Sequence, residues 1–357
     1  MRPSARRRGL LRAMLRRAGR IALASAWSAA TGWCTLAIGL GPSGPSVLTW
    51  SLAAGFAAIC LAVAAGPMPR AARGRKARTT LLAASWGAVA AWFLWVPAPA
   101  EADWLPDVRQ DPSFEIDGSS VTVSGIRNFR YGTSDSDVTE VWTERTYDLR
   151  TLRTVDLFFS YWGPGLICHN FVSFGFARPD GGTEQLAVSI EARKRKGQEY
   201  SAVGGLFRQY RLAYVWADER DVVRVRTNFR GERVRRYRVE ATEANVRILF
   251  ERYMLDTVDT VHRPRWYNAV TQNCGIDILR TAWGQEVPTV PSPRLLLNGT
   301  WERQAWEDGR TAPPLDYEET IRNADITDDA KEAPIREFSR AIRGRESWMR
   351  LASPASR

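Results

Sequence analysis

The stretch GLICHNFVSFGF, residues 165–176, decides how the rest of the chain is read. Its β-branched and aromatic residues predict a strand, and at the start of that strand stands His169, one of only two histidines in 357 residues. An imidazole among so many apolar side chains needs a partner for its ring nitrogens. Two readings follow, a satisfied core histidine or a proton-transfer group.

Segments of the same character flank it. EIDGSSVTVSGI (115–126) has a turn at Asp117-Gly118, and VDLFFSYW, QLAVSIEAR, RLAYVWA, DVVRVRTNF and RVRRYRVE continue the series. Together they predict an antiparallel sheet over 115–240. A helix is expected at 242–261, where Val246, Leu249, Phe250, Tyr253, Met254, Thr257, Val258 and Val261 recur at three- and four-residue spacing. Arg224, Arg226 and the arginines from Arg230 to Arg238 read as a solvated strand face balanced by Glu219, Asp221, Glu232 and Glu240. A phosphate-binding stripe, or one facing anionic lipid headgroups, is the alternative.

Beyond that helix, YNAVTQNCGIDILRTAW (267–283) places Cys274 in the expected first turn of a second helix. Unpaired N–H groups and the helix dipole there stabilise a thiolate, and the same groups can hold an oxyanion after attack on a carbonyl. A thiol nucleophile requires a base, and His169 and His262 are the candidates. His262 ends the amphipathic helix, where a cation suits the dipole, so His169 is the expected partner of Cys274. To orient that base, the strand QLAVSIEAR offers Ser189, Glu191 and Arg193 on one face. Glu191 is the preferred orienter and Ser189 the second choice. Cys168 and Cys274 could instead form a disulfide in an oxidising compartment. Because Cys168 and His169 point to opposite faces of one strand, the disulfide and the dyad exclude each other.

The charge is unevenly placed. Residues 1–100 hold 13 of the 50 Lys and Arg and no Asp or Glu, leaving 37 basic and 39 acidic residues for the remainder. The net charge of +11 therefore gives no reason to expect a nucleic-acid partner. Three uncharged apolar runs, 21–40, 47–65 and 81–97, read as transmembrane helices, and Cys34 and Cys60 inside them as packing residues. Arginines crowd before the first run and between the second and third, and none lies between the first and second. That alternation places the N-terminus in the cytoplasm and everything after the third run in the periplasm. VPAPAEA after the third run leaves a cleavage site as the alternative to a retained anchor. The resulting organisation is a basic N-terminus (1–20), a membrane anchor (21–97), a linker (98–114), a folded domain (115–300) and a polar C-terminal extension (301–357) containing one expected terminal helix and a frayed end. Neither the histidines nor the cysteines have metal-ligand spacing, and there is no Gly-rich phosphate loop, so no cofactor or metal is expected.

The runs VDLFFSYWGPGLICHNFVSFGF, LAVSIEARKRKGQEYSAVGGLFRQYRLAYVWADERDVVRVRTNFRGE and PRWYNAVTQNC resemble, in that order, the DUF4105 family, also called the Lnb N-terminal periplasmic domain. The similarity covers about residues 120–300 and omits the apolar runs. It implies an α+β domain with a circularly permuted papain-like fold of the NlpC/P60 type, in which the histidine strand precedes the cysteine helix. His169 and Cys274 occupy the matching positions. The family's activity, lipoprotein transacylation, implies cysteine-dependent acyl transfer or acyl hydrolysis on a membrane lipid or lipoprotein substrate. A cell-wall peptidase or amidase of the NlpC/P60 kind and a non-catalytic envelope binding module are the alternatives. Members of the family are expected to carry further spans after the soluble domain, whereas here all the apolar runs come first.

Overall fold

The computed structural model describes residues 5–65, 72–134, 137–162, 165, 167–269 and 298–350. The chain divides into two compact units, Met1–Pro97 with Phe207–Gln209, and Ala98–Leu206 with Tyr210–Arg357.

In the first unit α1 (Ala5–Leu40), α2 (Val47–Ala65) and α3 (Ala72–Trp95) follow in sequence. Alanine, leucine and arginine, all good helix formers, dominate 5–20, so the basic segment extends the first apolar run as helix. Ser46 and Thr49 cap α2 reciprocally, the Thr49 hydroxyl accepting from Ser46 N (2.8 Å) and the Ser46 hydroxyl from Thr49 N (3.1 Å). Among the described residues, Arg17–Leu40 and Val47–Ala65 are long and apolar enough to cross a membrane. α3 starts in the basic cluster at Arg73 to Arg78, which leaves it a shorter apolar stretch. Cys34 and Cys60 are buried.

The second unit is built on strands β1 (Ser113–Asp117), β2 (Ser120–Arg127), β3 (Arg130–Tyr131), β4 (Val138–Thr139), β5 (Trp142–Asp148), β6 (Leu152–Tyr161), β7 (Cys168–Ala177), β8 (Thr183–Arg193), β9 (Arg211–Asp218), β10 (Arg233–Val239), β11 (Thr311–Ala312) and β12 (Trp348–Met349). Among the described residues β3 and β4 pair separately, and the other ten form one sheet in the order β1-β2-β9-β8-β7-β6-β10-β12-β11, with β5 also on β2. The sheet is mixed rather than wholly antiparallel, because β2 with β9 and β10 with β12 run parallel.

Both faces of the central strands are covered, which is why they read as continuous apolar runs instead of alternating ones. On one face Val172, Phe174, Val188 and Trp216 pack with Val246, Phe250 and Tyr253 of α6 (Glu243–His262), which follows α4 (Ala202–Leu206) and α5 (Glu219–Arg224) in the chain. On the other, Phe158, Phe171, Ala187 and Val215 meet Val222, Val223, Ala330 and Phe338. On α6 itself the buried side stops at Thr257 and Thr260, and Val258, expected inside, is partly exposed.

DVVRVRTNF is not a strand. Asp218 caps a helix, Glu219–Arg224, by accepting from Arg220 N, and acidic Glu219 and Asp221 sit in its first turn. A π-turn follows at Val225–Phe229, closed by Arg230 N donating to Val225 O at 3.0 Å. The expected solvated arginine face fails with it, since Arg226, Arg235 and Arg236 are buried. Most of their counter-charges come from elsewhere in the sequence, Glu191 for Arg226, Glu302 for Arg235 and Asp156 for Arg236, with Glu232 the one expected acid that stays beside Arg226. Arg236, Arg238 and Arg343 surround the fully buried Asp156, and Arg343 also grips buried Glu219 at 2.6 Å.

The expected single terminal helix is broken. Thr327–Glu332 and Phe338–Ala341 are separated by Pro334 and a 3₁₀ turn at Ile335–Glu337. With β12 and Arg343, these pieces tie residues 327–349 to the sheet. The frayed end expected after Arg350 and the helix expected from Cys274 lie outside the described residues.

Candidate functional site

The pairing of β7 with β8 sets Phe171 opposite Ser189, so His169, Phe171, Ser189 and Glu191 share one face of the sheet. His169 Nε2 lies 2.7 Å from Ser189 Oγ and 3.3 Å from Glu191 Oε1. The Ser189 hydroxyl donates to Glu191 Oε1 at 2.7 Å. Having spent its proton there, Ser189 Oγ can only accept from the imidazole. In this arrangement Nε2 is the ring nitrogen that donates. Ser189 and Glu191, the two residues expected near the imidazole, thus both contact His169 Nε2, and the Ser189 hydroxyl also bridges to the Glu191 carboxylate.

Arg226 reaches this group from the π-turn. Its Nη2 donates to Glu191 Oε1 at 3.2 Å, its Nη1 to Val222 O at 2.7 Å, and its guanidinium lies over the Phe171 ring, 5.0 Å from the centroid. Its Nε is 3.9 Å from Glu232, which accepts from the Ser160 hydroxyl at 2.5 Å. Ser160 is the β6 register partner of His169, so the chain of contacts closes across three adjacent strands. Burial pushes the Glu191 carboxyl up, but the His169 charge and hydrogen bond, Arg226 and the Ser189 hydroxyl outweigh it and hold the group well below the usual carboxylate range.

The side chains of His169 and Glu191 remain 14% and 23% exposed, enough to open into a cleft of about 390 Å³. Trp162, Ile167, Tyr200 and Tyr267 give that cleft apolar walls, and Lys194 and Arg230 lie among its lining. Such a mixture of apolar wall and a few convergent polar groups is typical of small-ligand sites. Among the described residues no three His, Cys, Asp or Glu side chains converge on one metal-sized space.

Of the other expected residues, Cys168 lines the same cleft. Cys168 is 1% exposed and its thiol donates to Asn170 Oδ1 at 3.6 Å. Arg193 turns away from Glu191 to pair with Asp111 at 2.6 Å and stack on Trp104. His262 is exposed at the end of α6, with Nδ1 2.8 Å from Val258 O. Cys274 lies outside the described residues. Sequence reasoning missed Arg226 and Glu232 as parts of the site, because DVVRVRTNF reads as a strand. The usable signal was the capping Asp218 followed by two acids in three residues.

No curated protein and no solved structure matches the chain. A family model described as the Lnb N-terminal periplasmic domain matches residues 138–304, a span that runs from β4 to the helix Trp301–Glu307 and takes in His169, Ser189, Glu191, Arg226 and Cys274. The segment that carries the cleft thus belongs to the Lnb N-terminal periplasmic domain family.

Proposed function

We propose that the domain is a cysteine-dependent acyltransferase or acyl hydrolase acting on a lipid-linked substrate, with Cys274 as nucleophile and His169 as its general base. The observation that supports this reading is the relay His169–Ser189–Glu191–Arg226, which holds the imidazole at the wall of a cleft lined by both apolar and charged side chains. Tyr267 and Ala269 line the same cleft, so the chain leaves the described residues at that wall, five positions before Cys274.

In the proposed cycle Nδ1 takes the thiol proton and the sulfur attacks the carbonyl of an acyl ester. Collapse of the tetrahedral intermediate breaks the ester C–O bond, and the imidazolium returns its proton to the departing alkoxide, leaving a thioester on Cys274. An amine or water then attacks the thioester, its proton passing to Nδ1 and on to the sulfur. Through both halves Glu191 holds its negative charge against the transient imidazolium, directly and through Ser189. The fold belongs to the same proposal: a permuted papain-like domain, with the histidine strand before the cysteine helix. So does the topology, an N-terminus in the cytoplasm, spans at 21–40, 47–65 and 81–97, and the cleft in the periplasm near the bilayer surface.

The test is intact mass spectrometry of the purified full chain after incubation with a diacylated lipopeptide. The reading requires one added acyl chain on Cys274, absent in Cys274→Ser and slowed in His169→Ala. Cleavage of a peptidoglycan amide without acyl transfer would assign the site to the peptidase class. Failure of Cys274 to react with either substrate, or with a small thiol reagent below pH 8, would leave a binding module instead.

A further inference from the structure

We propose that a groove at the far end of β7 and β8 from His169 is a second site, which binds a phosphate-bearing group through Arg130, Arg224 and Arg336. β7 runs eight residues from His169 to Ala177 before the 178–182 turn, a distance of about 25 Å at strand spacing, so this groove is separate from the cleft. It is a space of about 1100 Å³ bounded by that turn, by Tyr131 and Phe229, by the helix Glu219–Arg224 and by the segment 335–340.

Seven arginines and four carboxylates line it. The carboxylates are already engaged: Asp218 with Arg145 at 2.7 Å, Glu184 with Arg145 and Arg178 at 3.5 and 3.4 Å, and Glu337 with Arg340 at 2.9 Å. Asp180 accepts from Gly182 N within the turn. Arg220 is held by Asn128 and the Phe129 carbonyl. Among the described residues the side chains of Arg130, Arg224 and Arg336 make no ion pair or hydrogen bond, although all three line this one space.

Arg224 carries most weight. Exposed arginines such as Arg130 and Arg336 are commonly solvated, but Arg224 is half-buried beside the charge of Arg220, and burial and that charge both disfavour its protonated form. An uncompensated guanidinium in this position is at its most stable when an anion arrives. Planar forks set around one space suit the tetrahedral oxygens of phosphate better than a single carboxylate, which one arginine saturates. The Tyr131 and Phe229 rings, with centroids 5.2 Å apart, give the groove an apolar wall for whatever carries the phosphate.

The test uses the full chain in phosphatidylcholine nanodiscs, titrated calorimetrically with inorganic pyrophosphate. Saturable binding is expected, weakened about tenfold in Arg224→Gln and again in Arg336→Gln, and unchanged in Arg150→Gln, whose arginine pairs with Asp148 elsewhere. A second arm repeats the titration in discs containing phosphatidylglycerol. Weaker apparent binding there in the wild type but not in Arg224→Gln identifies a lipid headgroup as the source, and equal binding identifies a soluble phosphate ester. No saturation at millimolar pyrophosphate, or wild-type affinity in both arginine variants, overturns the proposal. Arg130→Gln and Arg336→Gln alter exposed side chains only, so the outcome does not depend on the folding of the Arg224 variant.

Discussion

Asp156 offers the most quantitative test of how this domain is held together. Its carboxylate is fully buried on β6, with Arg236 at 3.0 Å, Arg238 at 2.6 Å and Arg343 at 2.7 Å. Burial raises its pKa, but Arg343, Arg236 and Arg238 together bring it down from 3.8 to about 2. A depression of that size corresponds to about 2–3 kcal/mol of folding stability. The sign follows from linkage: the folded pKa lies below the unfolded one, so the stabilisation is fully present above about pH 4 and is lost as pH falls toward 2. Asp156→Asn should remove that acid dependence. At neutral pH it also leaves Arg236 buried without its charge partner, a change that typically costs about 3–5 kcal/mol. Urea unfolding of the full chain in a mild uncharged detergent, followed by tryptophan fluorescence at pH 7, 4 and 2.5, reads both effects. The wild type should lose stability over the lower interval, and Asp156→Asn should start lower and lose less. An unchanged neutral midpoint in the variant, or an acid limb equal to that of the wild type, would show that the arginines around Asp156 do not govern its protonation.

The relay predicts graded effects on thioester formation at Cys274, measured by time-resolved mass spectrometry. Ser189→Ala leaves Glu191 Oε1 within 3.3 Å of Nε2 and should slow the reaction by only about threefold to tenfold, whereas Glu191→Gln should slow it about a hundredfold. Equal losses in the two would refute the direct contact. Arg226→Met removes a cation that holds the Glu191 carboxyl down, so the acid limb of the rate profile should move to higher pH, and an unmoved limb would place Arg226 outside the relay. Gly175→Ala puts a methyl against the Thr154 hydroxyl and the Gln185 amide. At this position near the end of β7, two residues before Ala177, it should cost about 1–3 kcal/mol in the same urea assay, and a neutral result would mean that β6 and β7 are not packed as closely as described.

What could be read in advance was decided by whether local pattern and tertiary role agree. β6 to β10 were legible because strands buried on both faces keep their apolar and β-branched residues whatever they pack against. α2 was legible to the residue, Val47–Ala65, because an uncharged run of that length has few alternatives. β5 was harder: WTERTYD sits at the sheet margin with mostly partly exposed residues, so no apolar run marks it. DVVRVRTNF misled because Val222, Val223 and Val225 favour a strand, while the capping Asp218 and burial of the valines against Phe338 and Ala330 made it a helix and π-turn. At the site, the facing of Ser189 and Glu191 follows from strand alternation. That both meet one nitrogen of His169 depends on the β7–β8 register, which no local pattern carries.

The near balance of 37 basic and 39 acidic residues after position 100 conceals two uses of the same device. Asp156 has its carboxyl depressed by arginines brought from distant parts of the chain, and Glu191 by His169 first and then by Arg226. A depressed carboxylate therefore does not by itself mark a site. Asp156 has no exposed surface, and its arginines come from β10 and from Arg343, so its work is to fasten the C-terminal segment to the sheet. Glu191 keeps part of its surface open to a cleft and spends its charge on an imidazole. The difference lies in the partner: a guanidinium cannot release its proton and makes a permanent clasp, whereas a histidine can change charge, so the carboxylate beside it has a charge to stabilise during a reaction. By that criterion the cleft at His169 is, among the described residues, a place where a depressed carboxylate faces a group that can change its charge, which is what the proposed reaction requires.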